Sequence, residues 1–285
     1  MKSNSQKRFE VANVSLQGDA HKANKIPIQD SSLSYIKGNK CFVSVSDGHG
    51  SPVHFRSNLG SSFAVEVAQK VFLKRLKLSN VLDNKDNLDK YCLDIVTDIL
   101  YLWNQKISDD LLASPYEKDK RFKALSDKDK ERASNKPSII YGCTLICAYS
   151  TPRYTLFLKI GDGNVVFIDK KDKIIDLPEL EDDANTLNKT ISLCSDDVIN
   201  HFHYTLIDDK KNKPKGIFLF IDGVINSLSV PEMLPKFSQN IIKLYTSVGK
   251  REAIKQLKVA LNQFSANGNG DDVSCAFIID KNYLK

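Results

Sequence analysis

Residues 40–51 read KCFVSVSDGHGS, and other parts of the chain repeat the pattern of this stretch. Lys40 to Ser46 is rich in β-favouring side chains, which predicts a strand. The strand ends at Asp47-Gly48, and His49 follows directly. Because Asp-Gly is a favoured two-residue hairpin turn, a simple turn explains this stretch when it is taken alone.

Acidic residues stand at the ends of several further predicted strands. The apolar runs TLFLKIG and GIFLFI both end in Asp-Gly, and two more aspartates come directly before a predicted strand or within two residues of one. The strand-end aspartates are Asp30, Asp47, Asp162, Asp222 and Asp271. A turn explains any one of them, but five together favour a shared site.

The chemistry of such a site follows from its ligands. Carboxylate oxygens without clustered Cys or His ligands favour Mg²⁺ or Mn²⁺ over Zn²⁺. Two such ions, about 4 Å apart, can activate a water molecule and hold a phosphoryl oxygen. A glycine after the aspartate lets the backbone approach a metal or a phosphate closely. The pattern therefore predicts a divalent metal site that acts on a phosphate.

Composition excludes several other classes of protein. The chain has 285 residues, 41% hydrophobic and 27% charged, as in a globular protein that needs no disulfides. Its net charge of +6 leaves a nucleic-acid partner open, but no basic face interleaved with aromatics is evident, so we expect none. The six cysteines form no C-x-x-C pair, which predicts free buried thiols. The polar N-terminus and the lack of an apolar run of ~18 residues predict a cytoplasmic protein with no membrane partner.

The periodicity of the chain predicts an α+β protein with mainly antiparallel sheets. We expect a polar tail over residues 1–8 and a single domain over 9–282. A polar, irregular stretch over 182–213 suggests a flap over a site, and a histidine pair at 201 and 203 suggests a strand there. The predicted strands are 9–16, 31–36, 40–46, 141–149, 153–160, 165–169, 215–221 and 273–279. The predicted helices are 57–78, 88–112 and a long one that begins with a capping box at 229–232 and ends near 267.

The motif at 46–51, SDGHGS, resembles the DGHG signature of the metal-dependent Ser/Thr protein phosphatases of the type 2C family. The other motifs follow in that family's order: IQD at 28–30, YGCTL at 141–145, IGDG at 160–163, FIDG at 220–223 and GDDVS at 270–274. The resemblance spans residues 9–280 and is greatest to a bacterial branch. It implies an α/β/β/α four-layer sandwich, in which two central antiparallel sheets are flanked by helices.

The resemblance also implies roles for individual residues. Asp47 would bridge two Mn²⁺ or Mg²⁺ ions, with Asp30 and the carbonyl of Gly48 completing one site. Asp222 and Asp271 would hold the other ion. The two ions would activate the water that hydrolyses phosphoserine or phosphothreonine, without a covalent phosphoenzyme.

Three further expectations concern the substrate. Asp162 and Asp222 would form a weaker third metal site. His49 would protonate the leaving alkoxide as a general acid, and His49 and Asp47 would be the catalytic residues. The family's phosphate-gripping Arg falls at Lys25, so Lys25 or His21 would bind the phosphate. Gln29 stands where many members have Glu, which removes one charge near the metals.

The function that follows is a monomeric protein phosphatase whose partner is a phosphorylated protein and which opposes a Ser/Thr kinase in signalling. Two alternatives remain open at this stage. A phosphatase-like protein that binds phosphoproteins with little or no turnover is suggested by the missing Arg. A two-metal nuclease is suggested by the positive charge, although no basic, aromatic-rich face supports it.

Overall fold

The computed structural model describes residues 8–75, 85–180, 190–209, 212–228 and 233–284. Ten strands form two antiparallel sheets of five. The strands are β1 (Phe9–Leu16), β2 (Ser31–Lys37), β3 (Lys40–Ser46), β4 (Leu145–Ser150), β5 (Tyr154–Ile160), β6 (Asn164–Asp169), β7 (Ile174–Ile175), β8 (His203–Asp208), β9 (Pro214–Phe220) and β10 (Val273–Asp280). The first sheet has the order β1-β10-β9-β6-β7 and the second β2-β3-β4-β5-β8.

Long helices cover the outer faces of the two sheets, two on the second sheet and one on the first, and short helices lie in the connections. The helices are α1 (Asp19–Ala23), α2 (Ser57–Arg75), α3 (Lys85–Ala113), α4 (Lys120–Lys123), α5 (Asp127–Asn135), α6 (Asp222–Ile225) and α7 (Met233–Asn267). Helix α7 is broken at Gly249, whose φ of 75° is not helical. A glycine adopts this backbone conformation without the strain of a Cβ atom.

The core has three layers, which confirms the predicted α/β/β/α sandwich. One cluster of buried apolar side chains joins α2 and α3 to the second sheet, and it includes the buried indole of Trp103. Another joins α6 and α7 to the first sheet. The third lies between the sheets, where Phe157 meets Phe167 edge to face at 6.2 Å. Alternating side chains of each strand thus point into two different apolar layers, which explains the almost continuous apolar runs of the central strands.

The structure corrects two predicted elements. Residues 141–149 are not one strand, because Pro137–Tyr141 forms a 3₁₀ helix and β4 begins only at Leu145. A short apolar run does not by itself distinguish a strand from a buried turn of helix. The stretch 182–213 is not wholly irregular, since it contains the edge strand β8; His201 ends a 3₁₀ helix and does not share that strand with His203. The predicted capping box at 229–232 lies outside the described residues.

The two ends of the described chain lie side by side. Strand β1 pairs with β10 along its whole length, from Phe9 opposite Asp280 to Leu16 opposite Val273. This pairing is consistent with a single domain, whose boundaries at 9 and 282 stay a prediction. Residues 1–7 of the predicted tail lie outside the described residues. No helix among the described residues is long and apolar enough to span a membrane.

Candidate active site

The register of the second sheet brings Asp30 and Asp47 to the same edge. Ser31, which begins β2, pairs with Ser46, which ends β3, so the aspartates on either side of this pair are neighbours. The backbone N–H of Asp47 donates to the Thr144 hydroxyl (3.0 Å), and its carbonyl accepts from the Thr144 N–H (2.8 Å). This threonine belongs to the predicted YGCTL motif and fixes the end of β3 against the start of β4.

The first sheet contributes its aspartates at the same edge. Phe220 at the end of β9 pairs with Cys275 of β10, so Asp222 and Asp271 leave neighbouring strands at one end. Asp222 opens helix α6. Gly223 is tightly enclosed, because a Cβ at this position would lie 2.1 Å from the Asp272 carbonyl oxygen. The glycine is therefore required by the packing of two strand ends.

The carboxyl groups at this edge are buried and repel one another. Burial, and then the nearby charge of Asp47, raises the pKa of Asp30 well above its usual value. Burial, and then the charges of Asp222 and Asp162, raises the pKa of Asp47 likewise. The pKa of Asp222 is raised by burial and by Asp162, and its carboxylate lies within hydrogen-bond reach of Asp47. The protein thus concentrates negative charge that its own described side chains do not neutralise.

These residues suit a divalent cation. Asp30 is 5% exposed and its Oδ2 atom has no hydrogen-bond partner, an arrangement that a bound cation would satisfy. Within the described residues, no Lys or Arg forms an ion pair with Asp47 or Asp222. The donors are hard oxygens, as Mg²⁺ and Mn²⁺ prefer. Among the described residues, no three Cys, His, Asp or Glu side chains lie close enough together to hold a metal ion as they stand.

The loop after Asp47 holds His49 against a second histidine. The His49 N–H donates to the Gly142 carbonyl oxygen (3.0 Å), and its ring lies 4.8 Å from the ring of His54, centroid to centroid. The Nδ1–H of His54 donates to the Ile139 carbonyl oxygen, which fixes the tautomer and the orientation of that ring. Burial, and then His54, lowers the pKa of His49 to about 4.

Gln29 and Asp272 have structural roles that the sequence did not reveal. The Gln29 side-chain amide donates to the His49 carbonyl oxygen (3.1 Å) and to the Ser57 hydroxyl (2.6 Å). A glutamate could not donate these bonds, so the amide positions the His49 loop. Asp272 is 2% exposed and accepts from the N–H groups of Gly18 (2.7 Å) and Gln29 (2.6 Å). It joins the segment before β2 to the start of β10.

The two residues predicted to bind phosphate have different surroundings in the structure. His21 lies against the last aspartates, with Nδ1 at 2.9 Å from Asp272 Oδ1 and Nε2 at 3.6 Å from Asp271 Oδ1. Lys25 follows α1 with a positive φ of 56°, and its side chain is exposed. It is not among the described residues that line the cavity beside His49.

Gly48 is buried and forms an isolated antiparallel β-bridge with Cys143. A Cβ atom on Gly48 would lie 2.5 Å from the Gln29 carbonyl oxygen, so only glycine fits at this position.

A fold of two antiparallel sheets with strand-end aspartates beside a histidine defines a class of metal-dependent phosphatase, and sequence comparison agrees. The profile of the protein phosphatase 2C family matches residues 17–262, and the chain belongs to that family. By class it is therefore a metal-dependent protein serine/threonine phosphatase. No curated protein sequence is a significant match to the chain.

Several solved structures share the fold. The catalytic domain of the serine/threonine phosphatase PstP, in complex with two manganese ions, matches with a TM-score of 0.57 and 14% identity over 95% of this chain and 97% of that one. Stp1 from Staphylococcus aureus matches with a TM-score of 0.56 and 14% identity over 99% and 100%. The S. agalactiae serine/threonine phosphatase matches with a TM-score of 0.57 and 15% identity over 96% of this chain and 100% of that one. At these identities the likeness establishes the fold alone.

Proposed function

We propose that this protein removes phosphate from phosphoserine and phosphothreonine of protein substrates at the strand-end aspartate site. One observation carries the proposal. Asp30 and Asp47 are brought together by the β2–β3 register, burial and mutual repulsion raise their pKa values, and no described basic side chain pairs with them. Such a site is stabilised by cations and becomes suited to a phosphate only when they are bound.

We assign the ligands to two ions, Mn²⁺ or Mg²⁺. Asp30 and the carbonyl of Gly48 would hold one, Asp222 and Asp271 would hold the other, and Asp47 would contribute to both sites. Asp162 is assigned to a weaker third ion; its Oδ2 accepts from the Thr190 hydroxyl (2.7 Å). When bound, the ions supply positive charge for the phosphoryl oxygens and acidify a water molecule. The chain's contribution is to hold these oxygens in place on the ends of strands.

His49 is proposed to donate its ring proton to the serine or threonine oxygen as the P–O bond breaks. Burial holds its pKa near 4, which favours the neutral ring. The negative charge of a bound phosphate opposes that effect, because an adjacent anion raises the pKa of a histidine. The hydrogen bond from Gln29 to the His49 carbonyl and the contact with the His54 ring keep the imidazole in position.

The wider setting is also a proposal. A phosphatase of phosphoserine and phosphothreonine opposes a Ser/Thr kinase, which places this chain in a signalling pair. All six cysteines are buried and unpaired, which supports a reducing compartment such as the cytoplasm. We further propose that the catalytic unit is a monomer over residues 9–282.

The test measures metal binding and catalysis separately. Calorimetric titration with Mn²⁺ and with Mg²⁺ is expected to show two bound ions, and hydrolysis of an aryl phosphate and of a phosphothreonine peptide is expected to depend on them. Asp47→Asn should remove both signals. Asp109→Asn on the exposed face of α3 makes the same change of charge away from the site and should preserve them.

The outcomes separate the alternatives. Metal binding without turnover, with retained binding of phosphopeptide, would favour a phosphoprotein-binding relative of the phosphatases. Activity that survives Asp47→Asn undiminished would overturn the site assignment. Hydrolysis of DNA or RNA in place of phosphopeptide would favour the nuclease.

A further inference from the structure

A polar cavity of about 600 Å³ opens directly beside His49. One wall is formed by the end of α5 and the residue after it, and the other by the segment 190–196. Its lining includes His49, Arg132, Lys136, Ser192 and Asp196. None of the five strand-end aspartates lines it. The cavity therefore adjoins the aspartate site at His49 and at Thr190, whose hydroxyl donates to Asp162 (2.7 Å).

The walls of the cavity are tied to the catalytic loop. Lys136 precedes the 3₁₀ helix Pro137–Tyr141, which leads into Gly142, and the Gly142 carbonyl accepts from the His49 N–H. On the other side, the Leu193 N–H donates to the Cys143 carbonyl oxygen (2.9 Å). One wall thus leads along the chain into the motif at 141–145 that positions His49, and the other is hydrogen-bonded to it.

The cavity is basic. Arg132 and Lys136 contribute two positive charges, and the described lining contains one carboxylate, Asp196. Lys136 Nζ lies 2.6 Å from Asp196 Oδ1, and the Asp196 side chain is 97% exposed. Arg132 Nη1 lies 3.0 Å from Asp129 Oδ1, one helical turn away, and the two side chains are 45% and 31% exposed. Such exposed pairs are weak, so another carboxylate or a phosphate can replace the partner at little cost.

We infer that this cavity binds an acidic side chain of the phosphoprotein substrate close to the phosphorylated residue, with Lys136 and Arg132 as its specificity-determining cations. The inference rests on the proposed function, because it takes His49 as the donor to the leaving oxygen. The phosphoryl group binds at the strand-end aspartates, and the polypeptide that carries the leaving oxygen extends past His49 into the cavity, which that histidine also lines. Asp196 occupies the position that the substrate carboxylate takes.

The experiment uses a series of phosphothreonine peptides in which a single Glu, or Gln as its neutral counterpart, stands at each of three positions on either side of the phosphothreonine. For at least one position we expect the ratio of kcat/KM for the Glu peptide to kcat/KM for the Gln peptide to be about five in the wild type, mainly because KM is lower for the Glu peptide. This ratio should fall when salt is added. Lys136→Gln and Arg132→Gln should each reduce that ratio towards one. Asp196→Asn should increase it, because the competing carboxylate is removed.

Matched controls isolate the cavity. Lys128→Gln removes the same charge from the same helix at an exposed position that does not line the cavity, and it should leave the ratio unchanged. It should also leave the turnover of an aryl phosphate, which has no flanking residues, unchanged, and in the other variants the comparison of Glu and Gln peptides cancels any general change in activity. A ratio near one at every position, or a ratio that survives Lys136→Gln and Arg132→Gln, would overturn the inference.

Binding of the same peptides, measured by fluorescence anisotropy, keeps the two proposals distinguishable. If the protein hydrolyses neither peptide nor aryl phosphate with Mn²⁺, the proposed function fails. Tighter binding of the Glu peptide that depends on Lys136 would then still support the cavity. Equal binding of the Glu and Gln peptides would refute it.

Discussion

Gly142 offers a direct test of how His49 is held. A Cβ at this position would lie 2.6 Å from His54 Nδ1, 2.8 Å from His49 Cδ2 and 2.9 Å from Cys194 Sγ. The backbone of Gly142 has φ −50° and ψ 128°, which alanine adopts without strain. Gly142→Ala therefore leaves the backbone conformation allowed and acts through these side chains alone.

The size of the effect follows from the distances. Ordinary contact begins at 3.4 Å, so the His49 ring must move by roughly 0.6 Å and the His54 ring by more. A displacement of ~1 Å of a reacting group can cost about 100-fold in rate. We expect kcat on a phosphothreonine peptide to fall by about 10- to 100-fold, and stability to fall by about 1–3 kcal/mol through overpacking.

The assay uses the difference between leaving groups. An alkoxide needs a proton from the general acid, whereas a nitrophenolate leaves without one. Gly142→Ala should therefore reduce peptide hydrolysis much more than hydrolysis of a nitrophenyl phosphate. In a His49→Ala background the same substitution should cause little further loss on the peptide, because both changes remove one function.

Three results would refute this reasoning. They are an unchanged kcat on the peptide, an equal loss on both substrates, and full additivity of Gly142→Ala with His49→Ala. Thermal unfolding of each variant shows whether the loss of activity comes from loss of the fold. The predicted destabilisation leaves the protein folded at the assay temperature.

Three further predictions concern stability, each measured by urea denaturation. Burial raises the pKa of Asp209 to about 7, whereas the pKa of an Asp in an unfolded chain is ~3.9. Between pH 4 and pH 7 the carboxyl group therefore ionises only in the unfolded state, and this group should lower the free energy of unfolding by up to about 4 kcal/mol as the pH rises. Asp209→Asn should remove this contribution and so reduce the slope of stability against pH, to which Asp30, Asp47 and Asp222 also contribute; an equal slope in both proteins would contradict it. Gly60→Ala should destabilise the protein by at least about 3 kcal/mol, because the added Cβ would lie 1.9 Å from the Tyr141 carbonyl oxygen. This loss is expected although alanine has a higher helix propensity than glycine. Asp110→Asn should cost about 2 kcal/mol, since buried Arg56 loses the carboxylate 2.7 Å from its Nη1; no change would show that the pair is not stabilising.

Much of the fold could be predicted because the local pattern agrees with the tertiary structure. The stretch 40–46 was predicted as a strand and is β3, with the same bounds, and 57–78 was predicted as a helix whose described part is α2. Both lie in the core, where burial selects apolar side chains at the period of the element. The edge strand β8 is predicted only at its start, from the histidine pair at 201 and 203, because an edge strand buries few of its side chains and carries a weak pattern.

Other errors arose where the partner of a residue is distant in the chain. Ile140 and Tyr141 are apolar because they are buried against α2 and α3, not because they belong to a strand. Gln29 was interpreted as a lost charge, but its amide donates to the His49 carbonyl 20 residues away. Periodicity within a window of residues contains no information on such contacts.

The sequence by itself determined that five aspartates stand at the ends of strands and that their ligand chemistry suits divalent cations, because strand propensity, Asp-Gly turns and donor type are local properties. Only the tertiary structure decided which of these carboxyls are buried together, since the register of β2 with β3 and of β9 with β10 sets that distance. It also decided that α5 places Arg132 and Lys136 beside His49, more than 80 residues away along the chain. Charge and burial at the site depend on groups that only folding brings within a few ångströms of one another.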